Sequence, residues 1–400
     1  MKTLLFVDDE PNVLQGLQRQ LRPMRGEWDM HFAQSGDEAL KLMAKLPVDI
    51  VVSDMIMPGM DGSQLLSEVL KRHPQTVRII LSGHAEREAV LRLVGPAHQY
   101  LSKPCDADEL RKAIIRAFSL RDLLGNERLK RLTTRIKNLP SLPAIQNELA
   151  EELRSDAPAL EHVGEIISRD IALTAKILQL VNSAFFGLAQ PINNPTDAVV
   201  YLGLNTVRSL ALSLEIFSQF DQKACPAFSL DALTRHSWFA GAAARTVAQT
   251  EHGDQKILDQ CFLAGLLHDV GQLILAFSLP AEYAEVIARA KTQNQPMWQV
   301  EHEIFGATHA DVGAYLLALW GLPNPLVEAV ALHHQLDRAA AGFSPAVAVH
   351  VADVFAHQFS PASVESPAPQ LDMDGLVRLG CAARIPAWRE RCEQTLQSED

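Results

Sequence analysis

Thr3-Leu4-Leu5-Phe6-Val7-Asp8-Asp9 is a short apolar run that ends on two carboxylates. A run this uniformly apolar reads as a strand buried on both faces. The pattern recurs downstream. Asp49–Ser53 leads into Asp54, Val77–Leu81 leads into Ser82, and weaker strand patterns lie at Trp28–Ala33 and His98–Leu101. Amphipathic stretches at Pro11–Leu21, Gly36–Leu46, Gly62–His73, Ala85–Val94 and Asp106–Phe118 alternate with them. Five strand–helix repeats predict an α/β doubly wound fold of five parallel strands with helices on both faces. In such a sheet the site forms at the C-terminal ends of the strands.

Those strand ends carry the chemistry. Asp8 and Asp9 end the first strand, Asp54 ends the third, Ser82 the fourth, and Lys103 follows the fifth. Three converging carboxylates are costly without a cation, and hard oxygen ligands suit Mg²⁺. A hydroxyl and an ammonium at the same rim would receive a phosphoryl group. The implied chemistry is in-line transfer, with Asp54 attacking and Lys103 binding the product oxygens. One acid alone could be a loop-initiating residue; five polar residues at four strand ends point to a site.

Asp8-Asp9, Asp54-Met55-Ile56-Met57-Pro58-Gly59-Met60-Asp61-Gly62, Leu81-Ser82-Gly83 and Tyr100-Leu101-Ser102-Lys103-Pro104 strongly resemble the receiver domain of response regulators, over about residues 1–120. The resemblance implies a flavodoxin-like fold and makes Asp54 the phospho-acceptor. It implies that Asp8, Asp9, Asp54 and the Ile56 carbonyl hold Mg²⁺. It casts Ser82 and Lys103 as phosphate-binding groups and Tyr100 as the aromatic switch, with a cis Lys103-Pro104 bond. A histidine kinase would be the phosphoryl donor.

Beyond the fifth repeat the character changes. Residues 1–137 hold 21 Lys+Arg against 18 Asp+Glu, a net of +3; the remaining 15 against 30 give residues 138–400 a net of −15. Nine of the 14 histidines fall between His236 and His357. Phosphate-backbone binding needs clustered Lys/Arg, so DNA is not expected as a partner. No segment reaches the roughly 18–20 uncharged apolar residues of a bilayer span; the longest candidate, Phe262–Phe277, contains His268, Asp269 and Gln272. Asp8-Asp9-Glu10 ends the first apolar stretch too early for an export core. Five widely spaced cysteines without C-x-x-C fit a reduced cytoplasm. A basic helical connector is expected over 121–138, broken by Leu139-Pro140-Ser141-Leu142-Pro143. After it helical periodicity dominates to about Phe359, predicting an all-α domain. A Pro/Ser-rich loop at Ser360–Gln370 and a final helical region from about Met373 to Leu396 complete the chain.

Leu139-Pro140-Ser141-Leu142-Pro143, Ile167-Ser168-Arg169-Asp170-Ile171-Ala172-Leu173, Val181-Asn182-Ser183-Ala184-Phe185-Phe186-Gly187 and Ala198-Val199-Val200-Tyr201-Leu202-Gly203 resemble the HDOD domain, the HD-related output domain found behind bacterial receivers. His236, placed at the opening of a helix, His268-Asp269, His309, His333-His334 and Asp353 match the order of the HD superfamily of metal-dependent phosphohydrolases. The resemblance makes these seven candidate ligands or catalytic residues for Fe, Mn or Zn, with Asp269 suited to bridge two ions. The pattern departs from active relatives at Gln272, where a lysine often follows the His-Asp run. It also lacks the Gly-Tyr-Pro segment of HD-GYP cyclic-dinucleotide phosphodiesterases, and Ala232 replaces an extra glutamate ligand seen in some of them.

The expected organisation is a receiver over 1–120, a helical connector over 121–138 and an HDOD domain over 139–400 with its core at about 139–350. The expected function is phosphorelay signalling, with the output domain acting mainly through contact with a downstream signalling protein. The alternative is a receiver-gated metal-dependent phosphohydrolase. A homodimer is left open.

Overall fold

A computed structural model describes residues 2–83, 97–103, 105, 107–123, 133, 136, 139–155, 158–182, 188, 190–204, 206–207, 225–251, 254–359 and 368–396. The first part is a five-stranded parallel sheet in the order β2-β1-β3-β4-β5, from β1 (Lys2–Val7), β2 (Trp28–Ala33), β3 (Ile50–Asp54), β4 (Val77–Gly83) and β5 (Gln99–Lys103). Leu4, Leu5, Phe6, Val51 and Ile79 are fully or almost fully buried, as two-sided coverage requires. The helices are α1 (Pro11–Gln20), α2 (Gly36–Met43), α3 (Gly62–Arg72) and α4 (Ala107–Leu123). Pro11 opens α1 where its missing N–H costs nothing. Ser35 caps α2, and Asp61 with Gln64 forms a reciprocal capping box on α3. The helix expected at Ala85–Val94 and the Lys103-Pro104 bond lie outside the described residues. So does most of the connector, though α4 runs on to Leu123.

The rest is helical: α5 (Pro143–Arg154), α6 (Leu160–Ser168), α7 (Ile171–Val181), α8 (Pro195–Leu202), α9 (Leu230–Glu251), α10 (Gln255–Leu267), α11 (Val270–Ser278), α12 (Pro280–Gln293), α13 (Met297–Phe305), α14 (His309–Leu319), α15 (Asn324–Leu332), α16 (Pro345–Phe359), α17 (Met373–Arg378) and α18 (Ile385–Leu396). The Pro-Ser-Leu-Pro break is tied down by Asp170. Its carboxylate accepts Ser141 Oγ (2.6 Å), Leu142 N (3.0 Å) and, as the N-cap of α7, Leu173 N (2.9 Å). Asn182 ends α7, but its side chain does more than close the helix: Nδ2 donates to Ile192 O and Oδ1 accepts Ile192 N, pinning a distant loop.

Helices α9, α10, α14, α15 and α16 pack around one another. Small residues set their spacing. A Cβ on Gly265 would lie 2.7 Å from Ala240 O, and one on Gly271 would lie 1.9 Å from His309 O. The apolar stretch Gln255–Ser278 is long enough to cross a membrane, yet 83% of its most apolar 18-residue window is buried inside this bundle. The final helical region breaks into α17 and α18. It is anchored to α9 by Trp388, whose Nε1 donates to Glu251 Oε1 at 3.0 Å.

Candidate functional site

The first site lies where β1 and β3 leave the sheet. Val7 pairs with Ser53 and Asp54 with Leu81, so Asp8 and Asp54 emerge side by side. Asp8, Asp9 and Asp54 bring carboxylate oxygens within 4.8 Å of one another. Lys103 Nζ reaches both Asp8 Oδ2 (2.7 Å) and Asp54 Oδ1 (2.5 Å). Burial raises the Asp54 pKa, against the lowering effect of Lys103. Burial works against the Lys103 charge too, but its two carboxylate partners outweigh it and the pKa is raised. Ser82 is buried beside them in register with Ser102, and the Tyr100 ring is turned inward. Ile56 stands two residues after Asp54 with its side chain exposed. Gly62 is demanded by the loop that follows, since a Cβ there would sit 2.2 Å from Asp54 O. The set fits Mg²⁺: three hard carboxylates, with one lysine to share their charge.

The second site gathers all seven residues expected from the histidine-rich part. His236 lies inside α9, not at its opening, a turn and a half after Leu230. His268 and Asp269 occupy the break between α10 and α11, the first as the cap of one helix and the second as the cap of the next. They therefore do not share one helix face. The break lets Asp269 turn its two oxygens to different partners. Oδ2 lies 3.2 Å from His268 Nε2 and 3.8 Å from His236 Nε2. Oδ1 lies 3.2 Å from His309 Nε2 and 3.7 Å from His333 Nε2. Asp353 Oδ1 completes the first half, 3.1 Å from His236 Nε2 and 3.5 Å from His268 Nε2. His334 completes the second, with its Nε2 2.8 Å from that of His309.

The far side of each ring explains why the Nε2 atoms converge. His268 Nδ1 donates to Gly265 O (2.6 Å), His333 Nδ1 to Val330 O (2.7 Å) and His309 Nδ1 to Glu301 Oε2 (2.7 Å). Fixing Nδ1–H leaves the Nε2 lone pair as the free ligand. His236 Nδ1 is buried with no hydrogen-bond partner among the described residues. Burial disfavours charge on every ring, but Asp269 and Asp353 outweigh it at His268, and Glu301 with Asp269 at His309, so both pKa values rise well above the ordinary range. Burial and these neighbouring rings push His333 down to about 3, and His334 is lowered well below the ordinary value. Asp269 and Asp353, in spite of burial, are held well below the carboxylate range by the surrounding histidines. His309 and His333 both have Nδ1–H committed, so their Nε2 atoms, facing each other at 3.3 Å, need a positive charge between them. A proton supplies it in part, and a divalent ion with imidazole and carboxylate ligands fits the same donors.

A cavity of about 560 Å³ opens onto this centre through His333, His334 and Asp353. Trp298 lines it and stacks on His334 at 5.9 Å between centroids and 21° between planes.

Two family models match the chain: the response regulator receiver domain over residues 4–115 and the HDOD domain over 139–336. The chain is a response regulator with a receiver domain followed by an HDOD domain. A signal receiver domain of an HD domain-containing protein from Pseudomonas fluorescens Pf-5 is 34% identical, covering 30% of this chain and 97% of that one, with a TM-score of 0.29. The MmoQ response regulator of Methylococcus capsulatus Bath is 26% identical, covering 63% of this chain and 98% of that one, with a TM-score of 0.49. An uncharacterized protein of Treponema pallidum (strain Nichols) is 26% identical over 219 residues, 54% of this chain and 41% of its own. The chain thus spans less than half the length of that curated relative.

In this response regulator three site residues escaped sequence reading. Glu301 is fully buried, accepts both His309 N and His309 Nδ1 at 2.7 Å, and is held by Tyr283 OH at 3.2 Å. Its signal was a charge on an apolar stripe, with Met297, Val300 and Phe305 on the same face. His357, one turn after Asp353, has Nδ1 3.0 Å from the Asp353 carbonyl oxygen and 3.1 Å from Asp353 Oδ1, the oxygen that also faces His236 and His268. Trp298 lines the cavity. His350 is a packed histidine outside the centre: Nδ1 donates to His333 O and Nε2 accepts Asp372 N.

Proposed function

We propose that a histidine kinase phosphorylates Asp54 in the cytoplasm, and that the HDOD domain reads the result for a downstream signalling protein. A receiver domain implies a histidine kinase as partner, and five free thiols suit a reducing compartment. The observation that carries the receiver reading is Lys103 held between Asp8 and Asp54. Asp54 supplies the attacking oxygen, and Asp8, Asp9 and Asp54 would hold Mg²⁺, which neutralises charge on the transferring group. The acyl phosphate carries about −1.5 to −2 charges at neutral pH where the carboxylate carried one. Lys103 is then drawn from Asp54 Oδ1 to the new oxygens, and Ser82 supplies a hydroxyl from the adjacent strand end. Acetyl phosphate with Mg²⁺ should label wild type but not Asp54→Asn; equal labelling of both would sink this assignment.

The output domain we read as a holder of divalent transition-metal ions. The observation that supports this is Asp269 with one oxygen on each histidine group. His236, His268 and Asp353 would hold one ion, His309, His333 and His334 another, with Asp269 between them. Such ions polarise phosphoryl oxygens, and the cavity reaching His334 favours a second reading as a phosphohydrolase. Among the described residues no lysine or arginine lines that cavity, so the ions would be what offsets a phosphate charge there. Metal analysis of purified protein tests the holder reading: bound metal in wild type and none in His268→Ala/Asp269→Ala. Incubation of the metal-loaded protein with cyclic dinucleotides tests the second reading, which absence of hydrolysis would count against.

A further inference from the structure

We infer that the His309 half of the metal centre is thermodynamically linked to the phosphorylation state of Asp54, through the packing of receiver helix α4 on output helix α14. The inference rests on the metal-holding reading above and adds its regulation.

Three observations place the link. First, α4 lies along α14, and His309 is the first residue of α14. A ligand at a helix terminus moves with the helix. Second, α14 cannot shift alone. The Gly271 backbone abuts His309 O so closely that a Cβ would lie 1.9 Å away, and Gly313 meets Gly271 N and Val270 in the same seam. Gly271 is two residues from Asp269, so α14 and the bridging carboxylate form one packed unit. Third, the other end of α14 is tied to the receiver by a second route. Trp320, directly after α14, packs under Lys176 Nζ at 4.7 Å. One turn further along α7, Gln179 Nε2 donates to His98 O at 3.3 Å, at the entry to β5.

On the receiver side the same elements flank the phosphoryl pocket. β5 carries Tyr100 and ends at Lys103, and α4 begins four residues later. A displacement of Lys103 or Tyr100 therefore acts on the two receiver elements that touch α14 and α7. The coupling must be reciprocal, since a ligand that changes affinity at one site is changed equally by the other.

The test uses the full chain in excess Mg²⁺, titrated with Co²⁺, whose imidazole-bound form has a distinctive visible spectrum. Beryllofluoride serves as the phosphoryl mimic. In wild type, beryllofluoride should change Co²⁺ affinity by at least about fivefold, the lower end of ordinary allosteric coupling. Co²⁺ should change beryllofluoride affinity by the same factor, and Asp54→Asn should show neither effect. Gln179→Glu sets a carboxylate against the His98 carbonyl and should lower the factor while Co²⁺ still binds. Equal Co²⁺ affinity with and without beryllofluoride in wild type overturns the link alone, and full coupling in Gln179→Glu overturns the branch of its route through α7. Failure of wild type to bind Co²⁺ overturns the link and the metal-holding reading together.

Discussion

Glu301 shows how a single buried charge can organise a centre it does not enter. Its carboxylate takes the His309 backbone N–H and the His309 Nδ1, both at 2.7 Å, so that the opposite nitrogen faces Asp269 and His334. A carboxylate behind a ligating imidazole raises its basicity as well as fixing its tautomer. Glu301→Gln keeps the shape and loses the charge. It should weaken metal binding at the His309 group by about 10–100-fold while leaving the melting temperature of the metal-free protein little changed. Calorimetric titration with Mn²⁺ or Co²⁺ reads this directly; unaltered affinity would remove Glu301 from the centre. The seven inner residues were legible in the sequence because their order resembles that of the HD superfamily. Glu301 was not: a charge on an apolar stripe marks a buried acid, but nothing ties it to a histidine eight residues on until α13 and α14 are folded against each other. His357 could have been found: it repeats the i, i+4 spacing from Asp353 that puts two side chains on one helix face.

Elements were legible where their burial is two-sided or their caps are explicit. β1, buried along its last four residues, was read to within one residue, and α3 nearly so, because Asp61 and Gln64 mark its start. His236 was placed at a helix opening, but α9 begins six residues earlier at Leu230. Nothing local marks the break at His268-Asp269. A tertiary requirement, the bridging position of Asp269, breaks the helix where local periodicity continues through Val270 and Leu273. Glycines test this account at the level of helix packing. Gly16, inside α1, has nothing within 4 Å of the place an added methyl would take, whereas Gly271 faces His309 O. Gly16→Ala should stabilise by roughly 0.5–1 kcal/mol through helix propensity alone. Gly271→Ala must separate α11 from α14, costing about 1–3 kcal/mol as overpacking does, and should weaken metal retention along with stability. Thermal melts and metal content of the two variants decide it. A harmless Gly271→Ala would mean that the seam between these helices is not tight.

At the scale of the whole molecule the uneven charge of the sequence separates two electrostatic designs. The slightly basic first part surrounds an acidic pocket with Lys103 as its counter-charge, and the −15 second part encloses a centre where histidines neutralise carboxylates. Between them lies a buried cation that belongs to neither site. Lys176 on α7 is almost fully buried, and its ammonium lies 4.7 Å from the Trp320 ring centroid. Burial pushes its pKa from 10.5 down to about 7. Below pH 7 the lysine is charged in both folded and unfolded chains, and the folded state carries the full cost of the buried charge. Between about 7 and 10.5 the folded protein has released its proton while the unfolded chain still holds one. Stability therefore rises with pH across that window, with a limiting slope of about 1.4 kcal/mol per unit from this group. Above 10.5 the difference vanishes. Lys176→Met keeps the apolar stem and has no proton to lose. It should be more stable than wild type at pH 7, and its advantage should shrink steadily towards pH 10. Denaturant unfolding of both proteins at three pH values across the window measures the gap. A gap that stays constant with pH would show that Lys176 keeps its charge in the folded molecule.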